Sequence, residues 1–457
     1  MDKKMLKKWY FLGIFCMFLA VFCTFLQQNF VVAETLAIQG SSPLSEHLDK
    51  IINANDLSTS SVVSVKILDM EGNCLYNRNS SLLLKPASTL KIPISALALK
   101  VLNPNYQIKT SLYKKGDNLF LHLSGDPTLQ SSDLVQLFEN IDLQKYSKLL
   151  IDTSSIDNCY LNKGWMWENL ISSDNVPVSI FNLDKNTLNL HLSIAGSVPI
   201  VTSDYPLAFV NELTVGDFNC IKIEKRPWME FVNPDTVYIS GIINTPCEQS
   251  IAVSSPEKYF LYRLNQVLQS NQSSKTLPEI YYGNVPKGAK LLACHKTSLL
   301  EILSKMNTQS DNLCAETIFK IATGKALGQQ GNFSDARAFF EEFYNTKEFV
   351  LYDASGLSHK NLINCDFLCR VLYDMKKDKN FLNTLAISGK TGTLKNRLQN
   401  VNLQGKTGTI DGVSGLCGYL DNKYIFAILI QNYKGSSKPA KILEDDIVLE
   451  LNNFCKH

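Results

Sequence analysis

The feature that most constrains this chain is a distance along it. Ser88-Thr89-Leu90-Lys91 is followed by 218 residues before Ser310-Asp311-Asn312, and Lys406-Thr407-Gly408-Thr409 comes later still. In that order S-x-x-K, S-D-N and K-T-G are the three parts of a serine acyl-transfer site that needs no histidine. Each part is weak alone; together they describe an enzyme that forms a serine ester with a carbonyl substrate. They can act only if folding gathers them, so the 218 residues must leave the motif-bearing domain and return to it. At 457 residues there is room for two or three domains.

Ser88 and Lys91 are three apart and share one face of a helix. A serine hydroxyl needs a base to take its proton. Free lysine titrates at ~10.4, so burial and a neighbouring cation must lower it. Lys406 is the candidate cation. The bland reading is a solvated Ser and Lys on a surface helix, and Ser111-Leu112-Tyr113-Lys114 and Ser255-Pro256-Glu257-Lys258 match S-x-x-K too. Ser310-Asp311-Asn312 also has a double, Ser173-Asp174-Asn175, in a loop between Trp167 and Pro177 where these are ordinary turn residues. The copy at Ser310 lies between two helical segments, from which Ser310 could relay a proton and Asn312 could bond a substrate amide. Lys390-Thr391-Gly392 reads as a turn, whereas Lys406-Thr407-Gly408 leads into a hairpin. On that strand Gly408 is expected to admit substrate backbone, and Thr407 and Thr409 to bond its carboxylate. The N–H groups of Ser88 and Thr409 could form an oxyanion hole.

Local patterns supply the scaffold. Residues 61–68 are rich in β-branched side chains and read as a strand, turned at 69–73 into a second strand near Cys74-Leu75-Tyr76. Lys85-Pro86-Ala87 opens the helix carrying Ser88, with Pro93 expected to kink or tighten it. Residues 118–123 and 187–192 alternate as strands do, which makes the long gap β-rich. Helical spacing appears at 298–306 and 313–321. Residues 412–420 and 424–431 form a hairpin about Asp421-Asn422, and 442–454 reads as a closing amphipathic helix.

The first 33 residues stand apart. Lys3, Lys4, Lys7 and Lys8 precede an apolar run from Trp9 to Leu26, and Val31 and Ala33 suit a cut after Ala33. The run is 18 residues, long for a signal and just enough for a span. Residues 1–33 are therefore a signal peptide or an N-terminal anchor, and a retained anchor would associate the protein with a membrane. Either way the body is exported. Their removal takes four of the 45 basic and one of the 43 acidic side chains, leaving 41 and 42. That balance argues against nucleic acid or an anionic membrane surface as partner. Of 12 cysteines, ten lie beyond residue 33; export permits disulfides, but pairing is not legible from spacing. Cys365 and Cys369 read as one face of a core helix. With six scattered histidines a metal site has little support, and the motifs call for no cofactor.

These stretches resemble the penicillin-binding D-alanyl-D-alanine carboxypeptidases/endopeptidases of peptidase family S13. His295-x-x-Ser298 through Met306-Asn307 and on to Ser310-Asp311-Asn312-Leu313-x-Ala315-Glu316 is similar to its central segment. Asp353-Ala354-Ser355-Gly356-Leu357-Ser358 resembles its D-G-S-G-L-S motif. Gly125-Asp126-Pro127-Thr128-Leu129 and Pro177-Val178-Ser179 with Asn186 look like landmarks of its inserted region. Gly392-Thr393-Leu394 matches its G-T-L element ahead of the true K-T-G.

The resemblance implies an α/β fold. A β-lactamase/transpeptidase-like three-layer domain (34–107 and 285–457) would be interrupted by two nested β-rich inserted domains, one at 108–186 and 248–284, the other at 187–247. It implies Ser88 as the acylated nucleophile, Lys91 as base, Ser310 as proton relay and Asn312 as a substrate contact. Lys406 with Thr407 would recognise the terminal carboxylate. Peptidoglycan stem peptides would be the substrates and β-lactams covalent inhibitors, in the periplasm or cell envelope.

Two departures bear on specificity. His359 stands where the family often has Arg, and Asp411 where a polar neutral residue is common. In relatives this neighbourhood, with an acid that Asp152 matches, holds the diaminopimelate side chain. The change implies a preference for a less anionic side chain, such as lysine or an amidated diacid. Two other readings compete. Ser88 to Pro93 resembles the S-T-F-K-I-P helix of class D β-lactamases, which are compact single domains without a 218-residue insertion. A non-catalytic wall-binding protein of the same fold would have no need of intact motif residues.

Overall fold

A computed structural model describes residues 42–225, 235–270, 277–346 and 348–454. The segment expected to be a signal or anchor lies outside the described residues. Among the described residues no helix is long and apolar enough to cross a membrane.

The strand Tyr424–Gln431 sets the layering, because it is apolar on both faces. Phe426, Ile428 and Ile430 enter one hydrophobic core, and Ile425, Ala427 and Leu429 enter another. A strand that alternates this way belongs inside a sheet covered on both sides. The six-stranded antiparallel sheet runs Ala386–Ile387, Leu403–Ile410, Val413–Leu420, Tyr424–Gln431, Val62–Asp69, Cys74–Arg78. The first core contains Leu44, Leu48 and Ile52 of helix Pro43–Ala54 with Leu443, Ile447 and Leu451 of helix Lys438–Phe454. The second contains Ile92 and Leu97 of helix Lys91–Leu102 with Phe367, Leu368 and Val371 of helix Cys365–Met375. Each such side chain contributes about 1.5–3 kcal/mol on burial. The hairpin expected about Asp421-Asn422 forms, with both residues at positive φ. Cys365 and Cys369 lie in the core, their thiols against the Ser64 and Lys66 carbonyls at 3.6 Å. All nine described cysteines are free thiols.

Pro93 does not kink its helix. It is the third residue of Lys91–Leu102, in the first turn, where its missing N–H leaves no intrahelical bond unmade. Ser88 lies just outside, in the 3₁₀ turn Ala87–Leu90. The pair therefore straddles a junction, and does not share one α-helix as the spacing suggested.

The gap between the motifs holds a five-stranded mixed sheet and two three-stranded sheets. The five strands run Glu279–Tyr282, Lys148–Asp152, Asn118–His122, Gln107–Lys115, Lys290–Ser298. Glu279–Tyr282 lies parallel to Lys148–Asp152, so the chain that leaves after Asp152 returns to the same sheet. Between those strands it builds one sheet around Thr187–Ala195 and another around Thr236–Ile243. Lys290–Ser298 then delivers the chain to helix Leu299–Thr308, whose N-cap Ser298 accepts the Glu301 N–H. Asp311 caps helix Asn312–Leu327 in the same way through Cys314 N–H. That second helix packs against Lys91–Leu102, which brings S-D-N back beside S-x-x-K.

Candidate active site

The three motifs meet. Lys91 Nζ lies 2.9 Å from Ser88 Oγ, 2.7 Å from Asn312 Oδ1 and 2.6 Å from the Ser355 carbonyl. Lys406 Nζ donates to Ser310 Oγ at 2.9 Å and to the Thr407 carbonyl at 2.8 Å. Thr407 Oγ1 is 2.7 Å from Thr393 Oγ1, in the 3₁₀ turn Gly392–Leu394 that follows the first K-T-G.

Two positions within the motifs' meeting place have positive φ, one beside Ser88 and one at Ser310 itself. Ala87 has φ 45° and Ser310 has φ 62°, a region that side chains with a Cβ seldom occupy. Packing holds Ala87 there. A Cβ on Gly356 would come within 1.8 Å of the Ala87 carbonyl oxygen, so only glycine lets the 353–358 loop press on the turn that carries Ser88. Gly408 has a similar use. A Cβ there would lie 2.9 Å from Pro86 O and Ser88 N, so the glycine admits the enzyme's own turn, where the sequence suggested substrate backbone. Ala386–Ile387 pairs only with Gly405 and Gln404, which leaves the same edge of the strand from Lys406 onward without a neighbouring strand among the described residues. Thr409 is exposed on that stretch.

Burial governs the charges. It lowers the Lys91 amine to about 8, against the opposing pull of Asp353, Glu316 and Asp311. Lys406 is also buried and is driven well below the ordinary lysine value, by burial first and then by Lys91. The expectation that Lys406 lowers Lys91 is thus reversed in emphasis: Lys91 is brought down by desolvation, and its own charge acts on Lys406. Three acceptors surround the three hydrogens of the Lys91 ammonium. When one proton leaves, Asn312 and Ser355 can hold the remaining N–H groups while the lone pair faces Ser88 Oγ.

The other expected residues scatter. His359 is half-buried, held below the usual imidazole range by burial and Lys85, with Asp411 and Glu168 opposing. His359 and Asp411 are thus electrostatic neighbours, and Lys85 and Glu168, which sequence reasoning missed, belong with them. Asp411 sits in the exposed turn after Leu403–Ile410. Asp152 is buried with Oδ1 on Ser154 N–H at 3.0 Å and Oδ2 on Val285 N–H at 2.9 Å. Burial would raise its carboxyl, but those bonds hold it below the usual range. None of the gathered site residues is among these partners.

The second S-D-N copy is the loop it was expected to be, yet it is not remote. Asn312 Nδ2 donates to the Asp174 carbonyl at 2.8 Å, and the two copies together line a cleft of about 280 Å³ with Lys185 and Gln309. Ser355, Glu316 and Thr393 were also missed as contacts. All three lie inside stretches that resembled S13 motifs, but only the folded chain shows what they touch.

Residues 44–451 match the model of the D-Ala-D-Ala carboxypeptidase 3 (S13) family. The chain belongs to that family. The S13 chain is 26% identical over 418 residues to the D-alanyl-D-alanine carboxypeptidase DacB of Haemophilus influenzae, covering 81% of this chain and 85% of that one. It is 25% identical over 468 residues to the D-alanyl-D-alanine carboxypeptidase of Actinomadura sp. strain R39, covering 91% and 85%. The crystal structure of penicillin-binding protein 4 (dacB) from H. influenzae superposes with a TM-score of 0.77 at 22% identity, over 90% of this chain and 99% of that one. That protein has also been crystallised with a β-lactam. The S13 chain shares its fold, the three-layer α/β transpeptidase-like architecture with β-rich insertions expected from the motifs.

Proposed function

We propose that this S13 protein is a serine-type D-Ala-D-Ala carboxypeptidase/endopeptidase that cleaves peptidoglycan stem peptides through an ester on Ser88. The observation that carries this reading is the 2.9 Å contact between Ser88 Oγ and a buried amine held at about 8. Neutral Lys91 takes the hydroxyl proton, and Oγ attacks the carbonyl carbon of the penultimate D-alanine. The N–H groups of Ser88 and Thr409 hold the oxyanion. The C–N bond breaks, the departing amine takes a proton through Ser310, and water hydrolyses the ester. Lys406 with Thr407 grips the terminal carboxylate and Asn312 a substrate amide. The open strand edge at Gly408 and Thr409 suits a peptide laid along it as an added strand. β-Lactams acylate the same oxygen as substrate mimics.

With this goes a division into a catalytic domain (34–107 and 285–457), an inserted domain (108–186 and 248–284) and one nested within it (187–247), in which strand Lys290–Ser298, paired with Gln107–Lys115, is the seam where catalytic and inserted parts join. Residues 1–33, as signal or anchor, export the body to the periplasm or cell envelope. His359 and Asp411, with Glu168 near, favour a stem peptide whose third side chain is lysine or an amidated diacid. Asp152, with both oxygens on main-chain N–H groups, is assigned no contact there. Hydrolysis rates of peptides differing only at that side chain test the preference; faster turnover of free diaminopimelate overturns it.

Intact-mass spectrometry after penicillin treatment tests the whole reading. The expected result is a long-lived adduct that disappears in Ser88→Ala. Rapid release of hydrolysed penicillin would make the protein a β-lactamase, and no adduct at all would leave a wall-binding protein.

A further inference from the structure

Behind the Lys91 amine lies a buried acid that the reaction does not consume. Glu316 sits one turn beyond Asn312 on helix Asn312–Leu327 and has no exposed surface. Its Oε1 accepts the N–H groups of Ala354 at 2.9 Å and Ser355 at 2.7 Å. Its Oε2 accepts Asn162 Nδ2 at 2.7 Å, from the stretch that separates the motifs. One residue along, Gly356 N–H donates to Asp353 Oδ1 at 2.8 Å. The two acids thus pin the peptide planes on both sides of Ser355, whose carbonyl receives Lys91 Nζ. That carbonyl is one of the two acceptors that decide where the neutral amine points its lone pair.

We propose that Glu316 is a positioning residue for acylation: it fixes the Ser355 carbonyl that aims the Lys91 amine at Ser88, and Asn162 of the inserted stretch holds it in place. The inference rests on the function proposed above. It assigns the insertion a part in chemistry, since one of its side chains is two hydrogen-bonded groups from the base. Charge enters as well. Glu316, Asp353, Asp311, Cys314 and Lys406 are the titratable groups facing Lys91. Burial, with Asp353 beside it, raises the Glu316 carboxyl above the usual range; where it is ionised it favours the ammonium form, so its removal makes the base easier to deprotonate even as its aim loosens.

The test is stopped-flow acylation of the full chain by a fluorescent penicillin over roughly pH 6 to 9, with melting temperatures recorded alongside. Glu316→Gln keeps the shape and one acceptor but not the charge, and its acid limb should move to lower pH. Glu316→Ala should cut the limiting acylation rate by about tenfold or more while the half-saturating penicillin concentration changes little. Asn162→Ala should cut the same rate by about threefold. A Glu316→Gln profile that superimposes on the parent overturns the inference. So does a Glu316→Ala protein that melts earlier but, while folded, acylates at the parental rate. If the parent itself is not acylated, the functional reading falls and this inference with it.

Discussion

Lys91 and Lys406 enter one cleft from different elements, and their surroundings differ in kind. Asp353, Glu316 and Asp311 act on Lys91 against the effect of burial and leave its amine at about 8. Lys406 has Lys91 and the Cys417 thiol for electrostatic neighbours and falls well below the ordinary lysine value. The contrast teaches what a base in a dry site requires. Burial lowers both amines, and at Lys91 the nearby acids work against it, which keeps the proton exchangeable close to neutral pH, where transfer is most effective.

The largest test of that contrast is Lys91→Met. Acylation by penicillin, followed by stopped flow, should fall about 10²–10⁴-fold. A variant of near-parental speed would make Lys406 the base and invert the comparison. Lys406→Met should cost about 10²–10³-fold through the lost carboxylate contact and the lost hydrogen bond to Ser310, yet leave the acid limb where Lys91 puts it. A limb that moves would mean that Lys406 carries charge while Lys91 titrates. In the parent, the rate should climb with pH up to about 8 and level off above, because only the unprotonated amine accepts the Ser88 proton. A flat profile across that range would remove Lys91 from the role. The smallest effect is expected for Thr393→Val, which deletes the 2.7 Å partner of Thr407. About 1 kcal/mol is at stake, seen as a few-fold rise in half-saturating peptide concentration with little change in limiting rate.

Much of the frame was legible in the residues. Tyr424–Gln431 shows its two-faced burial as an apolar run beside a turn pair, and Thr187–Ala195 shows its alternation. The site was legible as three motifs because the chemistry fixes residue types at short spacing. What was not legible depends on contacts between stretches far apart. Glu316 and Lys320 on helix Asn312–Leu327 look like solvated charges, yet both are buried. Lys320 pairs with Asp157 at 2.8 Å, and Glu316 pins a loop some forty residues on. Pro93 misled because its effect depends on where the helix begins, which propensity places only to within a turn. The 173–175 copy was read correctly as a loop, but its main-chain contact with Asn312 leaves no mark in side-chain identity.

The strand order of the central sheet has a consequence for how the protein comes into being. Val62–Asp69 lies between Cys74–Arg78, its immediate successor, and Tyr424–Gln431, a strand made far later. During synthesis one side of that early hairpin stays open until Tyr424–Gln431 arrives, a slow and long-range pairing. A polypeptide halted before Tyr424 holds Ser88 but lacks the central strand of the sheet on which the three motifs assemble. The three motifs can therefore meet only after residue 431 has been made.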